Sequence, residues 1–181
     1  FRAAFLNSLW MAGSIATLFA FSLRELEIPY AKRRAEIFLF SLCFSCAAAT
    51  ISIIWKYALL PDVFALHIFL CSLILFFYFS RKNELVAAQI QIYLFALGIA
   101  NHHSIIFLSP IILEQFWRFR DRPQIWRAIA LASLIGVGFY LSLFFCNGGA
   151  AASWAKPNSI ADLLRHFLRS EYGTLRLSAG K

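Results

Sequence analysis

Charge is what this chain has least of. Only 14% of its 181 residues are Asp, Glu, Lys or Arg, against roughly 25% in an ordinary soluble domain. A water-soluble surface cannot be covered with so little charge, and with 61% of residues hydrophobic the expected class is an integral membrane protein. No P-loop, GxGxxG or HExxH pattern occurs in the sequence, which removes the phosphate cradle, dinucleotide turn and zinc-protease helix from consideration. No internal repeat and no low-complexity tract is evident. Clusters of carboxylates or cysteines that could complete a zinc site around the histidines are also missing, so neither a metal nor any other cofactor is expected.

Cysteine is scarce as well. Cys43-Phe44-Ser45-Cys46 has CxxC spacing, but both thiols fall inside an apolar run with no charge nearby to favour a thiolate. Packing in the protein interior is the expectation for them, and for Cys71 and Cys146, which lie in similar runs.

Long apolar runs are what the chain has in place of charge. A helix needs about 20 residues to cross a ~30 Å hydrocarbon core. Six segments approach that length, at residues 5–23, 37–55, 63–80, 85–100, 105–116 and 128–146. The expected fold is therefore all-α, with about six transmembrane or re-entrant helices. Residues 1–146 form the helical membrane domain and residues 147–181 a non-cytoplasmic loop carrying an amphipathic helix. The chain opens on Phe1 rather than Met, which reads as an internal piece of a longer polypeptide, and the first apolar run is accordingly not a signal peptide.

The stretch from Leu85 to Leu113 reads either as one long helix or as two short ones meeting at Asn101-His102-His103. Charge favours two. With two segments the loops at 24–36, 81–84 and 117–127 share a side and hold ten of the seventeen basic residues, which the positive-inside rule assigns to the cytoplasm. Pro110 is expected to bend the second of the pair.

After Asn147 the composition changes. Ile160, Leu163, Leu164, Phe167 and Leu168 recur at helical spacing, opposite Asp162, Arg165, His166 and Arg169. Ser159 and Asp162 make a plausible N-cap pair and Gly173 a stop, giving a helix that lies at the membrane surface. Five of the seven basic residues outside the cytoplasmic loops are in this tail, and acidic headgroups or a lipid-linked phosphate would suit them. Nucleic acid is not an expected partner, since the net charge of +8 follows the membrane topology rather than one basic face.

Asn101-His102-His103-Ser104 is the sharpest functional signal. Polar, titratable side chains are costly at hydrocarbon depth unless they face a cavity, a bundle interior or the water boundary. Adjacent histidines on a helix point about 100° apart and do not easily share an ion, so a hydrogen-bonding, phosphate-neutralising or proton-transfer role fits them better. Asp62, after Pro61 at the start of the third segment, reads equally as a helix-dipole partner or as a catalytic or substrate-binding acid. His67, inside the same run, reads as a buried, hydrogen-bonded histidine.

Three elements together resemble a known family. They are Trp55 with Pro61-Asp62-Val63-Phe64-Ala65-Leu66-His67, then Leu97-Gly98-Ile99-Ala100-Asn101-His102-His103-Ser104, then Leu163-Leu164-Arg165-His166-Phe167-Leu168-Arg169-Ser170-Glu171-Tyr172-Gly173. In order and spacing they look like the protein O-mannosyltransferase-like membrane proteins of glycosyltransferase family 117, within the GT-C superfamily. The resemblance implies a polytopic glycosyltransferase that takes mannose or a similar sugar from a polyprenyl-phosphate donor. The acceptor would be a hydroxyl, on protein or another molecule, outside the cytoplasm. It also implies an acidic general base in a first outer loop ahead of Phe1, which would leave this piece inactive alone. Asn101, His102, His103 and Arg165 are the expected substrate-binding groups around the leaving phosphate. Asp62 stands where the family more often has Glu and would orient acceptor or sugar. Trp55 and Tyr172 would stack on a sugar ring or anchor the interface, and Glu171 either pairs with Arg169 or Arg165 or binds substrate. The membrane would be a bacterial inner membrane or the endoplasmic reticulum. Competing readings are a transporter or flippase with a midplane site at the broken 85–113 segment, and a non-catalytic scaffold whose polar clusters hold helices together.

Overall fold

The computed structural model describes residues 2–27, 31–59, 64–80, 83–142, 144–145 and 159–167. Among these every regular element is helical. In chain order they are α1 (Arg2–Glu27), a 3-10 turn (Ala31–Arg33), α2 (Arg34–Ala49), α3 (Ser52–Leu59), α4 (Phe64–Tyr78), α5 (Glu84–Asn101), a 3-10 turn (His103–Leu108), α6 (Ser109–Phe119), α7 (Pro123–Ser142) and α8 (Ile160–Phe167). The chain divides into two compact units, Phe1–Ala132 and Ser133–Lys181.

The surface of the first unit carries large apolar side chains, and its interior includes polar ones beside an apolar core. Phe107, Trp117 and Phe40 are 82%, 69% and 60% exposed, whereas Ser41, Ser45, Gln91 and Gln115 are buried. Outward aromatics and aliphatics with small or polar groups inside is the arrangement a helix bundle adopts in lipid, where close packing and internal hydrogen bonds hold helices together. On α1 the buried stripe is Asn7, Met11, Ser14 and Ser22. The Ser14 and Ser22 hydroxyls return to carbonyls of their own helix, at Trp10 and Phe19, while Ser8 donates across to the carbonyl of Ala58 at the end of α3. Each hydroxyl is thereby satisfied without water.

Three helices are long and apolar enough to cross a membrane among the described residues: Ala4–Leu26, Glu84–Asn101 and Pro123–Ser142. A fourth exists if α2 and α3 count as one span, broken by a 62° bend. Of the six expected segments, 37–55 is thus two helices rather than one. The break has a local cause: Thr50 Oγ1 donates to the carbonyl of Ala47 at 2.7 Å, and the Thr50 N–H is shared between the carbonyls of Cys46 and Ala47. That closes the helix in place of continuing it. Helix α4 is apolar but has only 15 residues, about 22 Å of rise.

The 85–113 stretch is two segments folded back on each other. Helix α5 ends at Asn101, His102 takes an extended conformation (φ −156°, ψ 125°), and the chain re-enters through the 3-10 turn into α6. Arg118, at the end of α6, is ion-paired with Glu84 at the start of α5. The same end carries Arg24 of α1, which donates to the Phe76 carbonyl at 3.3 Å and lies 4.8 Å over the Phe76 ring. Pro110 does not bend a helix: it occupies the first turn of α6, where its missing N–H costs no hydrogen bond.

The cysteine expectation needs correcting. Cys43 and Cys46 are free and exposed on α2, and Cys71 is half-buried. With apolar side chains turned outward, an apolar run no longer implies an interior position; Cys146 lies outside the described residues. Two clusters form the interior of the first unit. Ala88 and Ile92 of α5 pack with Ile125, Ala128 and Ala132 of α7, and Leu70 and Ile74 of α4 pack with Ile105. Ile105 is fully buried and holds the 3-10 turn against α4 and α5.

In the second unit α8 begins as its sequence indicates. The backbone N–H of Asp162 donates to Ser159 Oγ at 3.1 Å and Ser159 Oγ donates to the Asp162 carboxylate at 2.8 Å. Leu163 is buried, Ile160 and Leu164 are exposed, and the Phe167 ring meets Tyr140 edge-on at 5.0 Å.

Candidate functional site

The end of α5 is built around a missing side chain. A Cβ at Gly98 would lie 2.0 Å from Cδ1 of Ile105, so glycine is what lets the 3-10 turn fold down onto α5. The backbone N–H of His102 then donates to the Gly98 carbonyl at 2.7 Å, ending the helix and fixing the His102 ring at its tip.

From there a chain of side chains crosses to α4. His102 Nδ1 is 2.7 Å from Ser104 Oγ, and Ser104 Oγ is 2.9 Å from His67 Nε2. The backbone N–H of Ser104 also donates to His102 Nδ1, at 3.3 Å, which makes that nitrogen an acceptor and settles the direction of the rest. The Ser104 hydroxyl donates to His102, and His67 Nε2–H donates to Ser104. His67 Nδ1, buried and without a hydrogen-bond partner, is then a bare lone pair, which is cheaper to bury than an unsatisfied N–H. His102 carries its own proton on Nε2, the nitrogen on the other side of the ring from Ser104.

Aromatic rings surround this chain. The His102 ring lies 5.2 Å from that of His67 and 5.0 Å from that of Phe64, and Phe64 lies 5.2 Å from Tyr57. Cys71 Sγ is 3.6 Å from His67 Nε2, one turn further along α4. The result is a hydrogen-bonded imidazole pair with an aromatic wall, at the end of the bundle opposite Arg24, Glu84 and Arg118. It holds the His102 imidazole in one tautomer, with Nδ1 accepting from Ser104 and the ring proton on Nε2. No group of three or more His, Cys, Asp or Glu that could hold a metal occurs among the described residues.

Of the residues expected from sequence, Asn101, His102 and His103 fall within three consecutive positions here: the last residue of α5, the extended link, and the first residue of the 3-10 turn, all half-buried. Trp55 belongs to α3, though its side chain lies outside the description, as does that of His166 in α8. Asp62, Glu171 and Tyr172 lie outside the described residues. Arg165 is on α8 in the second unit, exposed and 3.6 Å from Asp162. His67 is hydrogen-bonded, as its sequence reading has it, but its link to the Asn101–Ser104 cluster was not among the expectations. Its sequence neighbours are all apolar, and its partner Ser104 is 37 positions away. The available signal was its place one turn into a helix that begins at the same end as the Asn-His-His cluster.

Comparison with known proteins adds one observation. The chain is 27% identical to the protein O-mannosyl-transferase tmem260 of Dictyostelium discoideum, over 71% of this chain. It is distantly related to a protein O-mannosyltransferase. The chain spans only 18% of that relative's length. No family model and no solved structure matches it.

Proposed function

We propose that this chain forms part of a multi-pass membrane glycosyltransferase of GT-C type, moving mannose or a similar sugar from a polyprenyl-phosphate donor to an acceptor hydroxyl. The relation to a protein O-mannosyltransferase carries the reading, and the His102–Ser104–His67 chain supplies groups suited to it. Sugar transfer releases a lipid phosphate, and donors already aimed at the developing negative charge lower the barrier without reorganisation. We assign that role to the His102 imidazole, with Ser104 and His67 behind it holding the ring in one tautomer. Asn101 and His103 complete the polar tip of α5 as sugar or phosphate contacts. Tyr57 and Phe64 offer faces on which a sugar ring can stack.

The finer assignments belong to this reading too. The six-segment path, a non-cytoplasmic location for the His102 end, Asp62 as the acid that orients acceptor or sugar, and Arg165 as a contact for lipid phosphate at the membrane surface are all proposed. So are Trp55, Glu171 and Tyr172 as substrate contacts, and an acidic base contributed ahead of Phe1. The membrane would be that of the endoplasmic reticulum or a bacterial cell.

Donor choice tests it. Membranes containing the complete protein should transfer labelled mannose from a polyprenyl-phosphate carrier and not from a sugar nucleotide when carrier synthesis is blocked. Transfer from the nucleotide under that block would overturn the donor assignment.

A further inference from the structure

We infer that the turn between α6 and α7 is a docking surface for the headgroup of an anionic phospholipid. Residues 116–127 carry Arg118, Arg120, Arg122 and Arg127 against a single acid, Asp121. All four arginines are exposed. Arg118 is committed to Glu84, but Arg120, Arg122 and Arg127 form no ion pair with any carboxylate among the described residues, Asp121 included. Glu84 and His102 stand at opposite ends of α5, about 27 Å apart at ~1.5 Å of rise per residue, so this surface is no part of the imidazole site.

The turn is a built one. Trp126 Nε1–H donates to the Arg120 carbonyl at 2.8 Å, and the Trp126 ring meets Phe116 of α6 edge-on at 5.2 Å. These two contacts tie the first turn of α7 to the last turns of α6. The Arg120 guanidinium lies 4.2 Å from the centre of the Trp117 ring, over its face. Stacking occupies the face of a guanidinium and leaves its in-plane N–H fork for an oxyanion, and no acceptor takes that fork among the described residues. Holding a long side chain in one place costs rotamer entropy, and the stack on Trp117 has met part of that cost before any ligand arrives. Membrane topology requires only the charge of these arginines; it does not require a stacked guanidinium with its donors uncommitted.

Position selects the ligand. Helix α7 is long and apolar enough to cross a membrane, with Arg122 just ahead of it and Trp126 and Arg127 in its first turns. Trp117 and Trp126 are both exposed, and an exposed indole beside a membrane helix settles at headgroup level. That places the arginines at the depth of lipid phosphates. Three uncommitted guanidiniums against one carboxylate leave surplus positive charge, which an anionic headgroup neutralises and a zwitterionic one, bringing its own cation, does not. A free phosphate would suit the arginines but leave both indoles without an apolar neighbour.

Native mass spectrometry of the complete protein, with phosphatidylglycerol and phosphatidylcholine of matched acyl chains, tests the surface. Phosphatidylglycerol should be retained in preference, and Arg120→Gln and Arg127→Gln should each cut its retention about fivefold, the scale of one arginine at a charged membrane surface. Arg33→Gln removes the same charge from an exposed side chain that already faces Glu36 at 3.4 Å, and should change retention by less than about twofold. All three positions are exposed, so helical content should stay at the parental value. Equal retention of the two lipids overturns the inference, and calorimetric binding of inorganic phosphate in that case would make the ligand a free anion. A preference that survives Arg120→Gln and Arg127→Gln together also overturns it, as does an equal loss in Arg33→Gln, which would reduce the effect to diffuse attraction.

Discussion

Cδ1 of Ile105 occupies the space into which a side chain on Gly98 would grow, 2.0 Å from the ideal Cβ position. Ile105 is fully buried between α4 and α5 and has nowhere to swing. Gly98→Ala should therefore push the 3-10 turn away from α5, at an overpacking cost of about 1–3 kcal/mol. The expected result is a lower thermal midpoint in detergent and a loss of transfer activity. Pairing it with Ile105→Val or Ile105→Ala should restore part of both, because the added methyl then has room. A Gly98→Ala protein with an unchanged midpoint would contradict the packing described.

Ser104 links two imidazoles that are otherwise 5.2 Å apart, centre to centre. Ser104→Ala keeps the backbone N–H that caps on His102 but removes the hydroxyl, leaving His67 Nε2 with only the weaker Cys71 thiol contact at 3.6 Å. A stability loss of about 1–3 kcal/mol is expected. If the serine holds the His102 tautomer, kcat should fall with KM nearly unchanged, and Ser104→Thr should recover much of the loss. Equal falls in Ser104→Ala and Ser104→Thr would show that the hydroxyl does not matter.

The start of α8 offers a local test. Ser159 Oγ accepts the Asp162 N–H, and replacing a serine N-cap by alanine costs about 1 kcal/mol. Hydrogen exchange in α8 should speed up roughly fivefold in Ser159→Ala while exchange in α5 is unaffected. Ser159→Asp should exchange like the parent.

Local signals in the sequence survived into the structure where the forces behind them are local. The Ser159 and Asp162 cap, the apolar runs that became α1, α5 and α7, and the interruption at His102 depend only on neighbours within a few positions. Long-range and environmental effects were harder to see. His67 joins Ser104 through the packing of α4 on α5, which no window around His67 contains. The break at Thr50 has neither glycine nor proline to announce it and rests on a side-chain hydroxyl competing for the Ala47 carbonyl. Pro110 could be read as a kink or as a helix start, and only the position of His102, which ends the preceding helix, decides for the start. Cys43 and Cys46 lie on a surface whose apolar side chains turn outward, so the burial habit of cysteine in soluble proteins fails there.

Sidedness is accessible by reporter fusion. The ends of α1 and α6 and the start of α5 meet at one end of the bundle through Arg24, Arg118 and Glu84, together with the end of α4 at Phe76. Reporters inserted after Arg34 and after Arg120 should be active in the cytoplasm, and one inserted after Lys56 should be active outside it, as the distribution of basic residues requires. Any of the three on the opposite side would invert or break the proposed path.

The most direct measurement is sugar transfer by the complete protein carrying His102→Ala, with polyprenyl-phosphate-linked mannose as donor and membrane levels matched to the parent. Removal of a positioned acid–base or hydrogen-bonding imidazole should reduce kcat by about 10²-fold or more. Transfer at the parental rate by His102→Ala, or no transfer by the parent protein from any lipid-linked sugar, would contradict the assignment of this site.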